Sequence, residues 1–213
     1  MRNSTTILAA AILAAVTVAP MQGAAILSLS SATVTPGSIG NTIELTLTNT
    51  GPSSISIGAF NFAVATPVLG GITFSDATVN TTSASYIFSG SGDSFVIDSL
   101  GGFSVLLSGA GTNSVTGNDF RLTPGAATLV GSGVTVGLAQ LLFDVDVATP
   151  YGLQIAAIGI TLAESNLADG NGNTINIDSF VNGDISVIPE PSSMALLCAG
   201  LVGAVVARRR VRA

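Results

Sequence analysis

The segment Thr42-Ile-Glu-Leu-Thr-Leu-Thr48 alternates polar and apolar residues without a break. Successive side chains of a β-strand point to opposite faces, so Ile43, Leu45 and Leu47 share one face and the polar residues share the other. This alternation is typical of a strand with one face in a core and one face toward water. The segment therefore predicts a half-buried β-strand.

The same period of two recurs along residues 25–187. It is clear at Phe60–Val64, Phe143–Val147 and Ile158–Leu162, and turns rich in glycine and proline, such as Thr35-Pro-Gly37, separate the strands. Many short alternating strands predict one all-β domain, an antiparallel β-sandwich with jelly-roll or Greek-key connections. The other strands are predicted at Ile26–Ser30, Gly71–Val79, Ser94–Asp98, Phe103–Ser108, Val134–Ala139, Thr174–Asp178 and Asp184–Ile188.

Charge is sparse and unevenly placed in this chain of 213 residues. Only 8% of the residues are charged, and eleven of the twelve acidic residues, but a single arginine, Arg121, fall between Glu44 and Asp184. An acidic surface repels phosphate backbones, since nucleic-acid binding needs clustered cations. We therefore expect no nucleic-acid partner.

The residue types argue against an enzyme. The chain has no histidine and no lysine, so the usual general bases and the amine nucleophile are absent, and its one thiol, Cys198, lies in an apolar run. Asp144 and Asp146 share a strand face about 7 Å apart, a spacing found in some glycosidases. Because they alternate with apolar residues, we expect them to face solvent, and we expect no catalytic activity.

The N-terminal segment has the layout of a secretory signal peptide. Arg2 precedes an apolar stretch from Ile7 to Ala19, and small residues follow from Gly23 to Ala25. In such signals the cation stays in the cytoplasm while a short apolar helix enters the translocon. We expect a signal helix over residues 1–24 and export of the rest of the chain.

Three features follow the last predicted strand in order. The first two are Pro189-Glu190-Pro191 and the uncharged run of 16 residues Ser192–Ala207. The third is an arginine cluster formed by Arg208, Arg209, Arg210 and Arg212. A helix of that length spans about 24 Å, which is short for a ~30 Å hydrocarbon core but tolerated when arginines reach the interface. Since arginines hold their end in the cytoplasm, a C-terminal transmembrane helix within 188–213 would leave the β domain outside.

This order of motif, apolar helix and arginine cluster resembles the PEP-CTERM sorting signal of Gram-negative bacteria. The resemblance covers about residues 187–213, with Ile188 where valine is commoner. It implies processing by a membrane-embedded, exosortase-type enzyme after a transient inner-membrane anchor, and a final place at the cell surface. Because species with such tags commonly make exopolysaccharide and biofilm matrix, it also implies a role in an extracellular matrix.

The edges of the β region resemble those of cohesin-like domains. The opening strand and Pro-Gly turn of Leu27–Gly37 lead into Ile43–Asn49 and then into Ile57–Phe62, which carries paired aromatics. Near the end, Leu142–Val145, Leu167–Gly172 and Val181–Val187 look like the closing strands and the loop between them. Cohesins bind dockerin modules, so the resemblance implies a dockerin-like protein partner, although no partner-contacting residue maps onto this chain.

One loop has the composition of a calcium site. Asp169, Asn171 and Asn173 place oxygen atoms at alternate positions of a glycine-rich loop, which suits Ca²⁺. The loop resembles the first half of an EF-hand, but Thr174 replaces the expected glycine and Phe180 occupies the position of the glutamate ligand. The alternative is a hairpin turn, where Asp, Asn and Gly are favoured in any case.

Two functions therefore stand after the sequence alone. The first is a structural or adhesive surface protein with a cohesin-like, protein-binding sandwich. The second is a polysaccharide-binding or calcium-dependent binding module, for which Tyr86 and Tyr151 are the candidate sugar-stacking residues, since tryptophan is absent. Apart from calcium, we expect no cofactor.

Overall fold

The computed structural model describes residues 25–66, 71–89, 93–98, 114–150, 154–160, 165–189, 196 and 198–200. Several predictions fall outside these residues. They are the signal helix at 1–24, the strand at 103–108, Tyr151, Glu190, Pro191, most of the C-terminal helix, and the arginines Arg208, Arg209, Arg210 and Arg212.

The described residues form fourteen strands, one single-turn helix and further helical residues at 196 and 198–200, so the all-β prediction is confirmed for the domain. The strands before the helix are β1 (Ala25–Leu29), β2 (Ala32–Val34), β3 (Asn41–Asn49), β4 (Ile55–Ile57), β5 (Ala59–Ala65) and β6 (Ile72–Thr78). Helix α1 covers Phe95–Asp98. The later strands are β7 (Ser114–Phe120), β8 (Thr128–Val130), β9 (Thr135–Val145), β10 (Gln154–Ile160), β11 (Asn166–Ala168), β12 (Thr174–Ile175), β13 (Ile177–Val181) and β14 (Gly183–Val187).

The first sheet has the strand order β13-β1-β3-β9-β6. Its centre is β3, which pairs antiparallel with β1 and β9; the register sets Leu47 opposite Leu27 and Ile43 opposite Leu141. The residues of β3 that were predicted to share an inward face, Ile43, Leu45 and Leu47, are all buried. Alternation in the sequence thus identified the central strand and its buried face.

The second sheet has the order β12-β11-β5-β10-β14-β2, and β7 pairs with β5 from outside this path. Strands β4 and β8 form a separate two-stranded ribbon. Buried side chains from both sheets, with Phe62, Phe74 and Phe143 among the largest, form one hydrophobic cluster. The predicted sandwich therefore has a single core between its two sheets.

Two strand pairs are parallel, which corrects the prediction of a purely antiparallel sandwich. β1 lies parallel to β13 in the first sheet, and β14 lies parallel to β2 in the second. Both ends of the domain cross from one sheet to the other, and the two crossings touch: Asp184 donates its backbone N–H to the Ser31 hydroxyl at 3.0 Å. Gly183 permits this approach, because a Cβ there would stand 2.2 Å from the carbonyl oxygen of Ser30.

Four strand predictions stand out because they differ from the structure in extent or type. Val134–Ala139 and the first part of Phe143–Val147 belong to one 11-residue strand, β9, because alternation continues between them. Thr174–Asp178 is divided between β12 and β13, which lie in different sheets. The strand predicted at Ser94–Asp98 is wrong, since Phe95–Asp98 forms helix α1 and the Val96 N–H is bound at 3.0 Å by the carboxylate of Asp119.

Candidate binding surface

A row of three asparagines crosses the outer face of strands β11, β5 and β7. Asn61 lies opposite Asn166 on one side and Asn118 on the other. Its neighbours Phe60 and Phe62 are buried, so Asn61 points outward. The Asn61 side-chain oxygen accepts the backbone N–H of Asn166 at 2.7 Å. We call Asn166, Asn61 and Asn118 the asparagine row.

An aromatic pair lies beside the asparagine row. Phe120 follows Asn118 by two residues on β7 and therefore shares its outward face. Its side chain is 38% exposed and stacks on Phe95 of α1, with ring centroids 5.1 Å apart and an interplanar angle of 13°. The face thus combines amide groups with an accessible aromatic edge.

A buried acid beneath this face fixes the aromatic pair. Asp119 is completely buried; one carboxylate oxygen accepts the backbone N–H groups of Val96 at 3.0 Å and Phe120 at 2.8 Å. The other oxygen accepts a short hydrogen bond from the Tyr86 hydroxyl. Because Asp119 binds the backbone beside both rings, it sets the position of α1 against the end of β7.

Tyr86 is not an exposed sugar-stacking residue, so the sequence prediction for it was wrong. Its side chain is 5% exposed and makes edge-on contacts with the rings of Phe60 and Phe88. Burial, followed by the hydrogen bond to Asp119 and the charge of that carboxylate, raises the pKa of Tyr86 far above its ordinary value. The side chain is therefore a neutral hydrogen-bond donor inside the core.

Arg121, the arginine within the acidic region, is engaged in the fold. Its guanidinium forms an ion pair with Asp93 and lies 5.9 Å from the ring centre of Phe88. The hydrogen bond from Arg121, against a smaller opposing effect of desolvation, lowers the pKa of Asp93. The Arg121–Asp93 ion pair connects the chain before α1 to the end of β7. It therefore helps to hold Phe95 of α1 against Phe120 of β7.

The outer face of the first sheet is covered at its centre. Glu44 on β3 is buried because the segment that follows β6 crosses it, and its carboxylate accepts Thr82 N–H at 2.5 Å, Thr82 O–H at 2.7 Å and Ser83 N–H at 2.8 Å. Desolvation would raise the pKa of Glu44, but these hydrogen bonds outweigh it and lower the pKa to about 2. The centre of this outer face is therefore covered by the chain itself.

Asp144 and Asp146 hold turns at one end of the sandwich. Asp144 accepts the backbone N–H of Gly40 at 2.7 Å, and Asp146 accepts that of Ala148 at 2.8 Å. Hydrogen bonds of this kind are the usual role of aspartate in turns. The structural role agrees with the expectation that they are not a catalytic pair, and the absence of enzymatic activity stays a prediction.

The predicted calcium loop is a hairpin between β11 and β12. One carboxylate oxygen of Asp169 accepts the backbone N–H groups of Asn171 at 2.9 Å and Asn173 at 2.8 Å, and the other accepts the Asn173 amide at 2.9 Å. The Asn173 hydrogen bonds, side chain first, lower the pKa of Asp169. The structure brings these three residues together as a turn whose hydrogen bonds are made within the loop, the arrangement of the hairpin alternative. Calcium binding there is untested.

A search of the described ranges finds no group of three or more His, Cys, Asp or Glu residues that could hold a metal ion. Asp169 is the single acid of its loop, and its partners there are asparagines. A cation would have to compete with the amide groups that already occupy the Asp169 oxygens.

The proposed sorting motif begins where the sandwich ends. Val187, the last residue of β14, is buried, and Ile188 donates its backbone N–H to the Val34 carbonyl at 2.8 Å. Pro189 follows at once. Beyond it, Leu196 and residues 198–200 are helical and exposed. Within the described part of the chain, no helix has both the length and the apolarity needed to cross a membrane.

Comparison with protein families identifies this C-terminal segment. Residues 187–210 match the family described as the PEP-CTERM protein-sorting motif, in agreement with the sequence-based resemblance. The chain therefore carries this sorting motif, which implies exosortase-dependent export and association with the cell surface. Comparison with curated proteins finds no match.

Solved structures similar to the sandwich are cohesin modules. A chain of the complex between a CaDoc0917 variant and CaCohA2 at pH 5.5 has a TM-score of 0.55 at 21% identity, covering 76% of this chain and 99% of that one. The third ScaC cohesin of Acetivibrio cellulolyticus, in complex with the ScaB dockerin, has a TM-score of 0.54 at 16% identity, covering 77% of this chain and 99% of that one. The non-cellulosomal cohesin of Archaeoglobus fulgidus has a TM-score of 0.51 at 13% identity, covering 81% of this chain and 96% of that one.

These likenesses define the fold. The chain has a cohesin-like β-sandwich, as its opening and closing strands predicted. It joins that sandwich directly to a PEP-CTERM sorting motif.

Proposed function

We propose that the chain is an exported protein of the cell surface or extracellular matrix whose sandwich binds another macromolecule. One observation carries the proposal: a cohesin-like sandwich continues, without a spacer, into a protein-sorting motif. The sandwich is the binding module, and the motif directs its export to the cell surface. The role is structural or adhesive, in a Gram-negative bacterium that anchors the chain transiently in its inner membrane before an exosortase processes it.

The partner proposed first is a protein, of the dockerin-like kind. Some similar cohesins are solved in complex with dockerins, which supports a protein ligand for this fold. On this chain we assign binding to the face that carries the asparagine row and Phe120. A flat face with small side chains, amide hydrogen-bonding groups and an aromatic at its edge is suited to a protein surface.

The second candidate is binding of matrix polysaccharide. It is favoured by the stacked rings of Phe95 and Phe120, which offer an aromatic surface beside amide groups. An apolar ring face packs on a pyranose while amides bind its hydroxyls. Phe120 thus replaces Tyr86 as the stacking residue of this hypothesis.

One pair of variants tests whether this face binds. Phe120→Ala removes the aromatic edge. Val181→Ala is the control, at an apolar residue of β13 in the other sheet that is 50% exposed against 38% for Phe120. We expect Phe120→Ala to weaken binding of a matrix protein or polysaccharide about tenfold, or about 1.4 kcal/mol, and the control to leave it unchanged. Titration with each ligand class separates the two candidates. Equal losses in both variants would contradict the assignment of this face.

Sorting is tested separately in the native host. Glu190→Ala removes the charge of the motif, and Asp178→Ala removes an exposed charge from the sandwich. We expect the first variant to stay in the membrane fraction at its unprocessed length and the second to reach the surface normally. Normal processing of both variants would contradict the assigned role of the motif.

A further inference from the structure

The joint between the sandwich and the sorting motif contains no spacer. β14 ends at Val187, Ile188 is bonded to Val34 of β2, and the sorting motif matches from residue 187 onward. Only Pro189-Glu-Pro191 lies between this joint and the uncharged run that begins at Ser192. The motif is thus attached to a fixed point on the fold.

The length of the connection limits how far the sandwich can stand from a bilayer. The four steps from Ile188 to Ser192 reach about 13–14 Å when fully extended, and the two prolines favour an extended chain. The polar headgroup layer on each side of a hydrocarbon core is about 5–8 Å thick. If the run from Ser192 enters the membrane, the end of the sandwich that carries Ile188 stands at the headgroups.

That end of the sandwich is formed by two turns beside Ile188. We call residues 35–40, residues 146–149 and Ile188 the stem end. Val145, before the second turn, donates its backbone N–H to Ser38 of the first turn at 2.8 Å, and a Cβ on Gly37 would stand 2.8 Å from Val147. The two turns therefore pack on each other, and the Ile188–Val34 hydrogen bond adds the joint.

The stem end exposes large apolar side chains that the fold does not use. Ile39 is 81% exposed, Val147 is 80% exposed and Ile188 is 44% exposed. The polar groups of the turns, by contrast, are satisfied internally: the Ser38 hydroxyl donates to the Thr35 carbonyl at 2.7 Å, and Asp146 accepts Ala148 N–H. Apart from the exposed Asp146 carboxylate, such a surface loses little hydrogen bonding when it leaves water.

We propose that the stem end lies on the lipid surface of the membrane while the sorting motif is still attached, with Ile39, Val147 and Ile188 in the headgroup region. The inference rests on the proposed function, because it needs a membrane anchor after Pro191. The tether keeps the stem end at a high local concentration next to the bilayer, so weak apolar contact is sufficient to hold it on the lipid surface. The contact holds the domain in one orientation beside the processing enzyme.

The charges of the stem end define which lipid it favours. Asp146 is the acid of the stem end, and Asp144, on β9, accepts a hydrogen bond from Gly40 of its first turn. Among the described residues, the hydrogen-bond partners of both carboxylates are backbone N–H groups. Carboxylates near a headgroup layer are repelled by anionic lipid. The contact is therefore apolar, and it is stronger on zwitterionic than on anionic vesicles.

The test places a fluorescent probe at the stem end of the full chain. Cys198→Ser removes the native thiol, and Ile39→Cys then carries an environment-sensitive dye on an exposed turn residue, so the fold is kept. Leu129→Cys in the same background is the matched control. Leu129 is 73% exposed and lies on β8, whose Val130 is bonded to Asn49 at the far end of β3.

The chains are reconstituted in phosphatidylcholine vesicles, and quenching by a headgroup-labelled lipid is measured. We expect a blue shift and strong quenching at position 39, neither at position 129, and a smaller effect at position 39 when anionic lipid is added. Equal signals at the two positions would overturn the proposal. So would a signal at position 39 that requires added processing enzyme, since the surface would then bind that enzyme.

Two further measurements keep the inference separate from the proposed function. Resistance of the chain to carbonate extraction reports the anchor itself, so a failed anchor is distinguished from an anchored domain that does not touch lipid. Inserting a glycine-serine segment of about ten residues between Ile188 and Pro189 lengthens the tether while the anchor is kept. We expect the quenching at position 39 to fall in that variant, and unchanged quenching would overturn the role of the short joint.

Discussion

The hydroxyl of Tyr86 donates a hydrogen bond to the carboxylate of Asp119 inside the core, and that carboxylate also binds the backbone beside the stacked rings of Phe95 and Phe120. A buried acid thus connects the interior of the sandwich to its candidate binding face. Any change to this hydrogen bond acts on stability first and on the surface second.

Tyr86→Phe tests this relationship. The variant keeps the ring but leaves one buried oxygen of Asp119 without its donor, which we expect to cost about 2–4 kcal/mol of the free energy of unfolding. Urea denaturation of the purified ectodomain measures it. Thr135→Val, which removes an exposed hydroxyl from β9, is the control and is expected to change stability by less than about 0.5 kcal/mol. A similarly small effect of Tyr86→Phe would contradict the buried pair.

Glu44 gives the fold a specific acid sensitivity. The pKa of Glu44 is about 2 in the folded protein, against an ordinary value of 4.5. Because the folded pKa is the lower one, the stabilisation is complete above pH 4.5 and is lost as the pH falls toward 2. We expect Glu44→Gln to remove about 2–3 kcal/mol at pH 7 and to flatten the loss of stability across that window.

The measurement is the urea midpoint of the ectodomain between about pH 2 and pH 7. Asp178→Asn removes an exposed acid and serves as the control. We expect the control to keep the acid-dependent slope of the unaltered protein. A slope that persists in Glu44→Gln would mean that other carboxylates carry the effect.

Gly58 is a point where backbones meet. A Cβ at this position would stand 2.6 Å from the Cα of Gly170 and 2.7 Å from the carbonyl oxygen of Asp169, so neither neighbour can move aside as a flexible side chain would. We expect Gly58→Ala to destabilise the ectodomain by about 2–4 kcal/mol in urea denaturation. Gly131→Ala, which meets only Val134 at an ordinary contact distance, is the control and is expected to be close to neutral.

Calcium removal tests the Asp169 loop. Because Asn171 and Asn173 already occupy the Asp169 oxygens, we expect the melting temperature to be the same in chelator and in millimolar calcium. Asp169→Asn, by contrast, is expected to lower the melting temperature under both conditions, since it weakens the turn itself. A clear rise in melting temperature on adding calcium, lost in Asp169→Asn, would instead support the calcium prediction.

The strands that could be predicted are those whose alternation is decided locally. β3 and β5 each place large apolar residues at every second position, and one face of each is buried in the structure. The partners of β1 and β2 could not be predicted in this way, because a parallel pairing with β13 or β14 depends on contacts about 150 residues away in the chain.

The candidate site was harder to predict because two of its polar residues are buried, whereas residues of these types usually have polar atoms exposed to solvent. Tyr86 was assigned to the surface as a candidate aromatic for sugar stacking, and Asp119 was not singled out. The signal that could have found Asp119 is its register: Val115, Gly117 and Asp119 alternate with outward residues, so the acid shares the inward face. Phe95 shows a different difficulty. The local sequence pattern around it predicts a strand, but contacts with residues far along the chain, such as Asp119, hold it in a helical turn.

The parallel pairs also set an order of events during synthesis. β1 pairs with β13, and β2 pairs with β14. Both β13 and β14 lie after residue 176, so these two partners are the last strands to be made. The first sheet has all its strands only when Val181 has been made, and the second only when Val187 has been made. Because the sorting motif matches from residue 187 onward, the last strand of the sandwich is made immediately before the rest of the motif.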